Sequence, residues 1–155
     1  MYPLEQQIAE VANQLYSKMA ALGYFANTEM HEPKSAPQGD LTVAVFVQQM
    51  QPESSASGLD ATSFRIEYTA RIYKPFKSAP EGLIDINIGM AAAAVIGALS
   101  GDFDLAGTVR NVVLLGGNSA ALGAVAGYQT IDSTVYRIMD ITIPVVINDA
   151  FDQGA

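Results

Sequence analysis

The stretch GGNSAALG, residues 116–123, follows the apolar run VRNVVLL and is the first place where this chain offers groups for chemistry. A glycine-rich turn after a strand can cradle nucleotide phosphates, because bare backbone N–H groups close around an anion. The P-loop pattern G-x-x-x-x-G-K-[ST] requires a glycine and a lysine that are missing: five residues beyond Gly117 stands Leu122, and no Lys follows Lys77. The dinucleotide pattern G-x-G-x-x-G fails as well, because the third position from Gly116 is Asn118. A second stretch, DFDLAG at 102–107, resembles the opening of a calcium loop, with Asp102, Asp104 and Gly107 at the first, third and sixth positions. Ala106 stands where an oxygen ligand is needed, and Val113 where a bidentate Glu closes the loop. A polar turn is the expected reading.

The chain has one histidine and no cysteine. His31 lies between Glu29 and Glu32 in a proline-containing segment, a poor scaffold for a metal. Without cysteine there are no disulfides, thiol nucleophiles or thiolate metal sites. No serine stands in a G-x-S-x-G elbow, and any Ser-His-Asp arrangement would have to be built around His31. We therefore expect no catalytic residues, no cofactor and no metal, and a protein that is not an enzyme. A small-molecule-binding enzyme built on the glycine-rich loop stays as the alternative from a different class.

Charge narrows the partners. Eight basic residues against 16 acidic give a net charge of −8, whereas a protein that clamps nucleic acid needs clustered Lys and Arg. The only basic concentration, Arg65, Arg71, Lys74 and Lys77 with Tyr73, is diluted by Glu67 and Glu81. Half of the 155 residues are hydrophobic and 15% are charged, which fits one domain with a real core. The N-terminal MYPLEQQIAE has neither a basic nor an apolar signal region, so no signal peptide is expected. The most apolar stretch, LIDINIGMAAAAVIGALSG, contains Asp85 and Asn87 and is expected to be a buried helix, with no membrane partner.

The elements that would position any site are legible by period. Leu4, Ile8, Val11, Leu15, Met19 and Leu22 line one face of a helix over 4–22, stopped at Gly23. Strict alternation in LTVAVFVQQMQ and in SFRIEYTARIYK gives two strands. In the second, Phe64, Ile66, Tyr68, Ala70 and Ile72 face one way and Arg65, Glu67, Thr69, Arg71 and Tyr73 the other. That charged row is either a solvated face or one that pairs across strands or subunits. A helix over about 83–99 leads to the strand VRNVVLL and then to two β-rich stretches meeting near Asp132-Ser133-Thr134. Pro144 places the last strand at an edge or on a bulge. Segments 27–40, 52–62 and 116–127 read as exposed loops. The expected architecture is a single α+β domain, two principal helices packed on a mainly antiparallel, mixed sheet.

Three of these stretches, SFRIEYTARIYKPF, LSGDFDLAGTVRNVVLLGG and AGYQTIDSTVYRIMDITIPVVINDAF, resemble the tail terminator (tail-completion) proteins of siphophages, in sequence and in order, over nearly the whole chain. The shared motifs are structural. The resemblance implies a virion protein of the bacteriophage tail, made in the host cytoplasm, that forms a homohexameric ring on the head-proximal end of the tail tube. Such a ring stops tube polymerisation and offers the surface for head–tail joining, while genomic DNA passes through its lumen without specific binding. Its partners are other copies of itself, the tail tube protein and a head connector or stopper protein. Another connector (stopper or neck) protein is the close alternative. Arg65, Glu67, Arg71, Arg110 and Arg137, with Gly116, Gly117 and Asn118 of the loop, are the candidate subunit or tail-tube contacts; no family motif fixes those roles. The alanine-rich helix departs from expectation by being too smooth and uncharged for a solvent-facing element.

Overall fold

A computed structural model describes residues 4–37, 39–53, 58, 61–77, 81–115 and 121–152. The apolar stripe of the first segment folds as α1, Leu4–Ala21, with Leu4, Val11, Leu15 and Met19 buried and Ile8 and Leu22 packed beside them. Gly23, at φ 76°, takes the left-handed conformation that releases the chain from the helix. The remaining elements are β1 (Asn27–Glu29), β2 (Thr42–Pro52), β3 (Ala61–Pro75), a 3-10 turn (Glu81–Leu83), α2 (Ile84–Ser100), β4 (Asn111–Val112), β5 (Gly123–Ile131) and β6 (Thr134–Asp152).

The six strands form one mixed, curled sheet in the order β1-β2-β3-β6-β4, with β5 pairing β6 beside β4. Every pairing is antiparallel except β1 with β2. The α+β arrangement expected from the sequence is the one observed. Both helices cover the same face. Ile66, Tyr68, Ala70 and Ile72 of β3 join Ile141, Ile143, Val145 and Ile147 of β6 in a core closed by α1 and α2. Burying each of these isoleucine and valine side chains contributes about 1.5–3 kcal/mol. The Tyr68 hydroxyl donates to the Ile8 carbonyl at 2.8 Å, pinning α1 to the central strand. Burial pushes that phenol well above its ordinary pKa.

Four local expectations need correction. Asn27–Glu29, inside the segment read as a loop, is a strand, because its backbone docks alongside Thr42–Ala44 of β2. The loop read as ending after Gly127 gives way to β5 already at Gly123, while VRNVVLL yields only the two-residue β4. Pro144 lies in a central strand, opposite Glu67 on one side. It is tolerated there because β5 ends its pairing at Thr142 and β4 begins at Val145, so the missing N–H falls in the gap between them. The apolar helix is not wholly buried: six of its residues face the core, and the opposite side is open.

Candidate functional site

The charged row of β3 is an internal structure rather than a solvated face. Arg65 is 2% exposed and Glu67 8%, because the sheet curls around this side. Arg71 sits directly opposite Asp140 of β6 and donates from Nε and Nη2 to its two carboxylate oxygens, at 2.6 and 3.0 Å. Its Nη1 donates to Gln129 Oε1 of β5 at 3.1 Å, and its guanidinium lies 5.5 Å from the Phe46 ring of β2. One side chain thus ties four strands together. The hydrogen bonds to Asp140 push the Arg71 pKa up against the opposing effect of burial, so it stays charged throughout the working range. Beside it Tyr73 packs edge-on to Tyr136, whose hydroxyl donates to the Pro37 carbonyl at 3.0 Å. Burial raises the Tyr73 phenol, opposed by the neighbouring Arg71.

The residues that offered chemistry are spent locally. Asp102 Oδ1 accepts from the Ala106 N–H at 3.0 Å, and Oδ2 is 2.9 Å from Lys18 Nζ of α1. These bonds, the Lys18 one foremost, hold its carboxyl below the usual range. Leu105, Ala106 and Gly107 all take positive φ, which turns the fully buried Leu105 back into the core. His31 Nδ1 lies 2.8 Å from the Glu32 carbonyl. Among the described residues no group of three or more His, Asp or Glu side chains is placed to hold a metal. Gly116, Gly117 and Asn118 lie outside the described residues.

What the fold does present is an apolar flank. Leu83, which caps α2, and Ile86, Met90, Ala93 and Gly97 within it recur at spacings of three and four and are all exposed, Ile86 to 54% and Met90 to 53%. The opposite face, Ile84, Ile88, Ala91, Ala92, Val95 and Leu99, is in the core. The helix is therefore apolar on both sides and covered on one. By length and composition the segment Glu81–Ser100 also reaches the threshold of a membrane-crossing helix.

The flank continues onto β5. Asp85, in the first turn of α2, accepts from Arg137 Nε of β6 at 2.9 Å, where the helix N-terminus favours an acid. Arg137 in turn lies 4.5 Å from the Tyr128 ring centroid and donates to the Gly127 carbonyl at 3.2 Å. Tyr128 meets Phe76 edge-on at 5.6 Å, and Phe76 lines an open cleft of about 420 Å³ with Pro75, Lys77 and Ser133–Val135. Tyr128 is 61% exposed on this flank, while Val125, 73% exposed, stands on the other face of β5 beside Asp140. Of the five charged candidates, Arg137 belongs to this flank and Arg110 bonds Asn148 at the surface at 3.1 Å. Arg65, Glu67 and Arg71 have their places inside the subunit. The apolar residues of the flank gave only a helical or strand period in sequence; their shared surface depends on which strand lies beside α2.

No protein-family model matches the chain, and no curated protein matches it in sequence.

Proposed function

We propose that this protein is a structural component of a siphophage tail, a tail terminator that assembles as a ring on the head-proximal end of the tail tube, stops its growth and receives the head connector. The observation that carries the reading is the uncovered apolar side of α2, Leu83, Ile86, Met90, Ala93 and Gly97, joined through Asp85, Arg137 and Tyr128 to β5. Nothing in a subunit that acts alone requires such a face, whereas a ring subunit needs a lateral surface on which two strongly acidic chains can meet. The chain-wide resemblance in SFRIEYTARIYKPF, LSGDFDLAGTVRNVVLLGG and AGYQTIDSTVYRIMDITIPVVINDAF points the same way. Arg110, exposed at the surface, is the charged candidate best placed to touch a neighbour, while Arg137 holds the flank together from within. An acidic wall would also let DNA pass without adhering.

Size exclusion with light scattering, on the protein alone and mixed with tail tube protein, is the test. A closed oligomer in either condition is expected. A strict monomer in both, or normal virions from a phage lacking the gene instead of overlong or headless tails, would contradict the proposal.

A further inference from the structure

We infer that the outer edge of β5 is completed, in the assembled protein, by the β1 margin of a second copy set head to tail, so that the sheet runs on from one subunit into the next; this rests on the ring reading above. Four facts of the fold lead there.

The first is the direction of the backbone groups. Phe76 N donates to the Val135 carbonyl at 3.0 Å, so Val135 turns its backbone toward β3 and away from its partner Thr130. By alternation along an antiparallel ladder, Thr130, Tyr128, Ala126 and Ala124 then point their N–H and C=O groups outward. No described strand pairs with that edge.

The second is the absence of any guard on it. β5, GAVAGYQTI, holds no charge and no proline, and its register with β6 is unbroken from Gly123 to Ile131. Solvent-facing edges are normally blunted by one of those devices.

The third is charge. A chain of net −8 repels its own copies wherever their acids face each other. β5 carries no charge, and the one charge of α2, Asp85, is committed to Arg137. Two copies can therefore meet on this flank without opposing like charges, whereas a basic partner would be drawn to the acidic remainder of the surface.

The fourth is polarity and level. β5 runs antiparallel to β6, β6 to β3 and β3 to β2, and β1 runs with β2, so β5 and β1 have opposite directions on opposite margins. Rotation about an axis along the strands preserves direction, so the β1 margin of the next copy arrives antiparallel to β5. The registers also set the height. Ala126 is level with Met139, Ile72, Val43 and, through Val43, Thr28 of β1.

Because the chain has no cysteine, the pairing is open to a clean cross-linking test. Thr28 and Ala126 brought opposite each other across antiparallel strands lie within disulfide reach. The T28C/A126C double variant, oxidised mildly and run on a non-reducing gel, is expected to give a ladder ending in a closed ring, and each single variant only monomer. Quantitative dimer from A126C alone would mean that β5 pairs with its own copy about a two-fold axis, and would overturn the head-to-tail inference. Independently, Ala126→Pro removes one outward N–H while leaving the ladder to β6 intact. It is expected to keep the melting temperature of the subunit within a few degrees and to weaken assembly by roughly tenfold or more. If A126P melts early, the cysteine pair decides alone. If the wild type forms rings but A126P assembles equally well and the double variant gives no ladder, this inference falls and the ring reading stands. If the wild type is a monomer alone and with tail tube protein, both fall. Flotation of the monomer with phosphatidylcholine vesicles, without cross-linking, would give the flank to a lipid surface and overturn the inference.

Discussion

At one margin of the sheet β2 gives part of its outer edge to β1, shifts register between Val47 and Gln49, and ends at Pro52. Glu53 N donates to the Ser63 carbonyl at 2.9 Å, so the chain alternates to turn Pro52 outward, where it offers a stray strand no N–H donor. At the other margin β5 runs nine residues with no bulge, no proline and no charge, and shows Val125 and Tyr128 to solvent. The same chain thus applies three protective devices on one side and none on the other. The proposed pairing rests on that asymmetry: β5 offers outward groups along its whole length, whereas on the other margin only the short β1 stands clear of the devices that guard β2.

The largest effect is expected at Val125. Its N–H faces β6 opposite Asp140, so Val125→Pro removes a ladder bond and is expected to cost about 3 kcal/mol in a urea melt, whereas Ala126→Pro next to it leaves the subunit nearly unchanged. Equal losses from the two would mean that β5 has no distinct outer side. A smaller effect is expected at Tyr68, which touches neither margin. Tyr68→Phe loses the bond to the Ile8 carbonyl and is expected to lower stability by about 1 kcal/mol while association stays at the wild-type level. The sign with pH follows from burial, which raises the folded-state pKa of this phenol. Its contribution is complete below about pH 10, the unfolded value, and is lost as the pH climbs toward the folded one. The Phe variant is therefore expected to lack that alkaline decline, and a melt series across high pH reads it directly.

Local patterns carried the parts of the fold that local physics decides. The stripe from Leu4 to Leu22, the alternation from Phe64 to Tyr73 and the turn at Asp132-Ser133 were all legible. That turn closes the β5–β6 hairpin with both residues at positive φ, 49° and 65°, a conformation Asp tolerates better than most. Other features were decided by partners far along the chain. Asn27–Glu29 has no strand signal of its own and is extended only because β2 is beside it. Gly123–Gly127 is too small and too flexible to announce a strand, and it is held by β6. The burial of Arg65 and Glu67 follows from the curl of the sheet, which no spacing encodes. The candidate surface was half visible: the smoothness of α2 was evident in sequence, but its continuity with β5 needed the Asp85–Arg137–Tyr128 contacts.

Hydrogen exchange on the amides of β5, compared between the free subunit and the assembled protein, reads the pairing of the outer edge residue by residue. In the free subunit the amides of Ala124, Ala126, Tyr128 and Thr130 are expected to exchange quickly and those of Val125, Gly127 and Gln129 slowly. On assembly the outward set is expected to become as protected as the inward set. Outward amides that still exchange quickly in the assembled protein would mean that the edge of β5 stays unpaired there.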